Sequence, residues 1–167
     1  MEQRKRILIG LIALMLLTVI AIGGETLRRR SSASVQAGGA TLTPGSVPIY
    51  LNGKLQGSFK PSDLEQLQKV SFVEPVEGKT QEGWLLRDVI MLYIPASELN
   101  PNSRIVVSSS SRDKSAELTW QEVNDPANMV MFDLSNRGTL KLVSKMEKLS
   151  TRDQWVQDSD KIEIFTP

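Results

Sequence analysis

Gly83-Trp84-Leu85-Leu86-Arg87-Asp88-Val89-Ile90-Met91-Leu92-Tyr93 is the stretch on which the fold of this chain turns. From Leu85 onward, residues three and four apart bring Leu86, Val89, Ile90 and Tyr93 to one helical face, and Pro95 stops the helix. The segments around it are strand-like. Val47–Leu51 and Lys54–Phe59 flank Asn52-Gly53, a pair that takes the positive φ angles of a type I′ turn, so they predict a β-hairpin. Further strands are expected over Val70–Val76, Arg104–Ser108, Ala116–Leu118, Met129–Leu134, Leu140–Val143 and Lys161–Phe165. Two stretches have capping-box spacing. Ser62-Asp63-Leu64-Glu65 predicts a short helix through Gln68, and Thr119-Trp120-Gln121-Glu122 predicts a helical turn ended by Asn124-Asp125-Pro126. Short helices among many strands predict an α+β class with a mixed or antiparallel sheet.

Composition excludes several chemistries. The chain has 167 residues, with no cysteine and no histidine. Zinc-finger sites, histidine-ligated haem or copper, and Ser-His-Asp or Cys-His catalysis all need those side chains. No metal ligand and no catalytic residue is assigned. A Ser-Lys dyad is chemically allowed, but no spacing singles one out. Charge is unevenly placed: residues 1–46 carry six basic and two acidic residues, while the rest carries fourteen basic and seventeen acidic. A mildly acidic body lacks the basic face that phosphate neutralisation needs, so no nucleic-acid partner is expected.

The positive charge brackets an apolar run. Ile7 to Gly24 contains no charged side chain, with Arg4-Lys5-Arg6 before it and Arg28-Arg29-Arg30 after it. As a helix it would span about 27 Å, the thickness of a bilayer's hydrocarbon core. A signal peptide cleaved after Gly23 and a buried core helix are the other readings of this run. Its length and the following basic triplet favour an uncleaved anchor. The expected organisation is a cytoplasmic tail (1–6), a transmembrane anchor helix (7–24), a flexible linker (25–46) and a folded domain (47–167). The positive-inside count is even at the two ends. The short basic tail places the domain outside the cytoplasm, on a single-pass protein of the cell membrane. Residues 31–46, small and polar, lack the apolar surface to fold.

Several segments together resemble the molybdopterin-binding domain of sulfite-oxidase-type oxidoreductases. Gly83 to Ile90 is similar to that family's G-W-x-x-x-LRDVL segment, which opens a helix beside the cofactor pocket. Ser111-Arg112-Asp113-Lys114 with Ala116-Glu117-Leu118 looks like its S-x-DGY strand and turn, and Leu118-Thr119-Trp120 like the start of the following helix. Asn136-Arg137-Gly138-Thr139-Leu140-Lys141-Leu142-Val143 looks like its N-G-x-PLRLV signature. Gln154-Trp155-Val156 with Lys161-Ile162-Glu163-Ile164 is similar to its closing segment. The likeness runs from about Val47 to Phe165. It implies that family's fold, with Arg137 and Lys141 at the cofactor-side basic positions. The departures are as informative. The family's metal-binding cysteine is expected near Val70–Val76, which here reads VSFVEPV. Asp113-Lys114-Ser115 replaces the DGY turn, and no histidine is present to hold a pterin. A thiolate ligand cannot be exchanged for Val or Glu without changing the metal chemistry. The likeness therefore implies a scaffold that has lost its metal ligand.

The candidate cofactor-binding residues are Trp84, Arg112, Lys114, Arg137 and Lys141. Ser108 to Lys114 is either a phosphate cradle of backbone N–H groups with Arg112 and Lys114, or a solvated loop. Arg87-Asp88 reads as a pocket pair or a structural ion pair. Trp84, Trp120 and Trp155 read as packing residues, with Trp84 also a candidate pocket wall. The leading expectation is a membrane-anchored, non-catalytic domain without a cofactor. It would act in protein interaction or assembly, its partners being the lipid bilayer through residues 7–24 and a membrane or extracytoplasmic protein. The alternatives are a component that binds molybdopterin or another pterin for oxidoreductase or electron-transfer chemistry, and a small-anion sensor.

Overall fold

The computed structural model describes residues 42–167. The expected tail (1–6), anchor helix (7–24) and most of the linker lie outside the described residues. Among the described residues no helix is long and apolar enough to cross a membrane.

The described residues build two sheets. The first has the order β2-β1-β9-β5-β6, from β1 (Val47–Leu51), β2 (Lys54–Phe59), β5 (Arg104–Ser109), β6 (Lys114–Thr119) and β9 (Lys161–Phe165). The second has the order β3-β4-β7-β8, from β3 (Lys69–Val73), β4 (Thr80–Leu85), β7 (Met131–Leu134) and β8 (Leu140–Val143). The β1–β9 pair is parallel and the other strand pairs are antiparallel. With two short α-helices among the described residues, α1 (Leu86–Met91) and α2 (Trp120–Asn124), the class is α+β.

Local chemistry accounts for the elements. Asn52 and Gly53 have φ of 50° and 78°, as a type I′ turn requires, and the β1–β2 hairpin forms around them. At α2, Thr119 Oγ1 accepts from the Glu122 N–H at 3.2 Å while Glu122 Oε2 accepts from the Thr119 N–H at 2.7 Å, a complete capping box. The first box forms two residues earlier than its spacing suggested. Asp63 Oδ2 accepts from the Lys60 N–H at 2.8 Å, and Pro61–Gln66 is a 3₁₀ helix. Pro61 sets that start, because its fixed φ suits the first helical position.

Between the sheets lies the main core. Ile49, Ile105, Val107, Ile162 and Ile164 from the first sheet meet Trp84, Phe132, Leu140 and Leu142 from the second, with Leu86, Val89 and Ile90 of α1 among them. The outer face of the second sheet carries a smaller apolar cluster of Phe72, Leu85, Met131 and Val143, covered by Trp155. This follows from the period-2 alternation of strands. Trp84 points to one side of β4, while Gln81 and Leu85 point to the other. Beyond the small cluster, the same outer face turns polar, and the candidate site lies there.

Candidate functional site

Gln81 of β4, Asp133 of β7 and Lys141 of β8 stand side by side on the outer face of the second sheet. They line an open cleft of about 640 Å³ that is flanked by the turns carrying Lys79, Arg137, Arg152 and Trp155. A second groove of about 240 Å³, lined by Arg112, Lys114 and Asp153, adjoins it. The two share Arg152, Trp155 and Gln157 as wall residues. Arg112 and Lys114, from the β5–β6 turn and the start of β6, and Arg137 and Lys141, from the β7–β8 turn and β8, are thus brought to one region from two separate segments. Trp84 does not join them. It is 2% exposed and belongs to the main core, because its strand position faces α1 and the first sheet.

Each of the four cations is engaged. Arg112 Nε donates to Asp158 Oδ2 at 2.7 Å, and an Arg137 guanidinium nitrogen donates to Asp158 Oδ1 at 2.8 Å. Thr139 Oγ1 donates to the same carboxylate at 2.6 Å. Lys141 Nζ donates to Gln81 Oε1 at 2.8 Å, pairs with Asp133 Oδ2 at 3.2 Å and lies 5.0 Å above the Trp155 ring centroid. Lys114 Nζ donates to the backbone carbonyl of Asp153.

Asp158 is the organising residue, and sequence reasoning passed over it. The hydrogen bond from Thr139, then that from Arg112, and the charges of Arg137 and Arg112 hold its carboxyl below the usual range. Its backbone is left-handed, with φ 56°, a conformation that Asp and Asn tolerate. Asp158→Asn therefore keeps the backbone and removes the charge. A lowered folded-state pKa contributes stability above the unfolded value of about 3.9, and that stability is lost as pH falls through the folded value. Both arginines are about half exposed, so solvent screening limits the effect. We expect Asp158→Asn to cost roughly 1 kcal/mol at neutral pH. In urea titrations, the gap from wild type should close as pH drops below about 4. A gap that does not change with pH would disprove the ionic role.

Asp133 behaves in the opposite way. Burial pushes its carboxyl up, against the pull of Lys141. A short ion pair and an upward shift coexist because desolvation outweighs the attraction. The cleft wall formed by the 74–79 turn is also internally braced. The Glu74 carboxylate accepts from the backbone N–H groups of Val76 at 2.8 Å, Glu77 at 2.7 Å and Lys79 at 3.3 Å.

No protein-family model matches this chain, and no curated protein matches it.

The remaining candidates resolve from geometry. The Ser108–Lys114 run is not an open cradle, since the Ser110 N–H already donates to Asp160 Oδ2 at 2.8 Å and Arg112 reaches Asp158. Arg87 and Asp88 form an ion pair at 3.3 Å, and Arg87 also donates to the Asn124 carbonyl, tying α1 to the end of α2. Among the described residues no group of three or more Asp or Glu side chains is arranged to hold a metal ion. Asp158, Gln81, Asp133 and Arg152 are among the site residues that sequence reasoning did not single out. For Arg152 the available signal was its closeness to the Gln154-Trp155-Val156 motif.

Proposed function

We propose that this protein is a membrane-anchored, non-catalytic domain of the sulfite-oxidase-type molybdopterin-binding fold, acting in protein interaction or assembly at the membrane surface. The observation that carries the non-catalytic role is the commitment of Arg112 and Arg137 to Asp158. These are cations that a pterin pyrophosphate would require, and a bound carboxylate competes with it for the same donors. Lys141 is committed likewise, to Asp133 and Gln81. The chain also has no cysteine to ligate molybdenum. The fold assignment is supported by the Gly83-Trp84 pair, which lies in the last half of β4 and is followed, after Leu85, by α1, in the strand-to-helix order of the family segment. The anchor is supported by the uncharged run from Ile7 to Gly24.

Two measurements on the full chain test this role. After cell fractionation the protein should stay in the membrane pellet through alkaline carbonate washing, and deletion of residues 7–24 should release it. Purified in mild detergent, it should contain neither molybdenum by mass spectrometry nor pterin fluorescence after denaturation. Stoichiometric molybdenum or pterin would overturn the non-catalytic role, and release of the intact chain by carbonate would overturn the anchor.

A further inference from the structure

Arg152 stands where the two grooves meet. It is exposed and enters no hydrogen bond or ion pair among the described residues. Around it, positive charge is incompletely balanced. Arg112 and Arg137 share the single carboxylate of Asp158, and Lys114 is bonded to a carbonyl that carries no charge. In the larger cleft, Lys141 can only donate, so the Gln81 atom facing it is the oxygen. The amide nitrogen of Gln81, which lines the cleft, then enters no hydrogen bond among the described residues and is open to a ligand there. The joined grooves therefore present a free cation and a free donor on a body with an excess of acidic residues.

We propose that this double groove binds an extended acidic peptide segment of a partner protein, with Arg152 receiving one of its carboxylates. This rests on the interaction role proposed above. The shape favours a chain over a small anion, because small ligands are usually enclosed on most sides, whereas these grooves run open past the shared Arg152-Trp155-Gln157 wall. The lining chemistry favours a peptide over a phosphate-bearing surface. Glu77, Asp133 and Asp153 also line the grooves, and they repel the dense charge of clustered phosphates more than the single, spaced carboxylates of an extended peptide. A peptide offers backbone N–H groups to those carboxylates and side-chain carboxylates to Arg152.

The test uses the full chain in detergent micelles and a fluorescent alternating Glu-Ser octapeptide, read by anisotropy at about 50 mM salt, where screening is modest. Saturable binding is expected, weakened about tenfold by Arg152→Glu and less by Arg152→Lys. Lys54→Glu, at the exposed start of β2 outside both grooves, should leave it unchanged. Arg152→Ala serves as a second variant, and circular dichroism confirms that each variant is folded. Equal affinity of wild type and Arg152→Glu, or no binding at millimolar peptide, overturns the site. Citrate binding as tightly as the peptide overturns the peptide as occupant. So does Arg152-dependent binding to phosphatidylcholine vesicles containing phosphatidylserine, in the absence of peptide binding. Metal and pterin content of the same preparation separates the two levels. A cofactor-free chain that ignores the peptide overturns the peptide site alone, and a cofactor-loaded chain overturns the interaction role with it.

Discussion

Gly83→Ala should be the most damaging small substitution in the domain. A Cβ at this position would lie 1.8 Å from the carbonyl oxygen of Phe132, 2.7 Å from its carbon and 2.9 Å from the Asp133 Cα. All three are backbone atoms of β7, which pairs with β4 through Gly83↔Asp133 and Trp84↔Phe132. No rotamer change relieves such a contact. The strands must separate at the centre of the second sheet, between β3 on one side and β8 on the other. Overpacking by a methyl group usually costs about 1–3 kcal/mol, and a backbone clash within a ladder belongs at or above the top of that range. The melting temperature should therefore fall by roughly 10–20 °C, measured by circular dichroism on the full chain. Gly57→Ala is the informative comparison. There the added carbon meets the Tyr93 ring at 2.4 Å, and a side chain can swing away. A Gly83→Ala protein melting within a few degrees of wild type would refute the close β4–β7 approach.

That glycine also shows what could be read from the sequence and what could not. The β1–β2 hairpin was legible because Asn52-Gly53 admits few other conformations, and α2 because Thr119 and Glu122 satisfy each other's backbone. β4 was not legible. Its sequence, Thr80-Gln81-Glu82-Gly83-Trp84-Leu85, has few β-branched residues and a glycine at its middle, so it lacks the usual strand signal. The glycine is there because β7 passes too close for a side chain, a requirement set by a strand about fifty residues away. Leu85, read as part of the amphipathic helix, instead ends β4 and packs in the small outer cluster, and α1 begins at Leu86.

The candidate site divides in the same way. Arg112, Lys114, Arg137 and Lys141 could be picked out because each falls within a motif-like segment, and the fold gathers all four around the two grooves. Asp158 could not be picked out. It lies 46 residues from Arg112 and 21 from Arg137, inside Gln157-Asp158-Ser159-Asp160, which reads as an ordinary polar turn. Motif likeness therefore offered these residues as anion ligands, whereas pairing in space leaves Arg152 as the groove-lining cation without a partner among the described residues. Charge that is balanced through long-range contacts is invisible to local spacing.

Trp84→Ala separates the core from the groove. The indole is 2% exposed within the main cluster, and Lys69 Nζ lies 5.2 Å from its ring centroid on the outside. Its Nε1 has no hydrogen-bond partner among the described residues, so the side chain contributes through volume and apolar burial. Truncating a buried tryptophan to alanine costs about 3–5 kcal/mol through lost transfer energy and the cavity left behind. Trp84→Phe should be far milder, about 1–2 kcal/mol, because no hydrogen bond is lost and most of the volume is kept. Urea denaturation of the full chain and both variants measures this directly. The paired readout is peptide affinity under native conditions, which Trp84→Ala should leave within about twofold of wild type, since Trp84 faces the opposite side of β4 from Gln81 and lines neither groove. The converse pattern, intact stability with lost affinity, would move Trp84 out of the core and into the pocket wall. Arg152→Glu should produce that converse pattern itself, because its side chain is exposed and unpaired among the described residues. Together the two variants test whether the scaffold and its binding face can be changed independently.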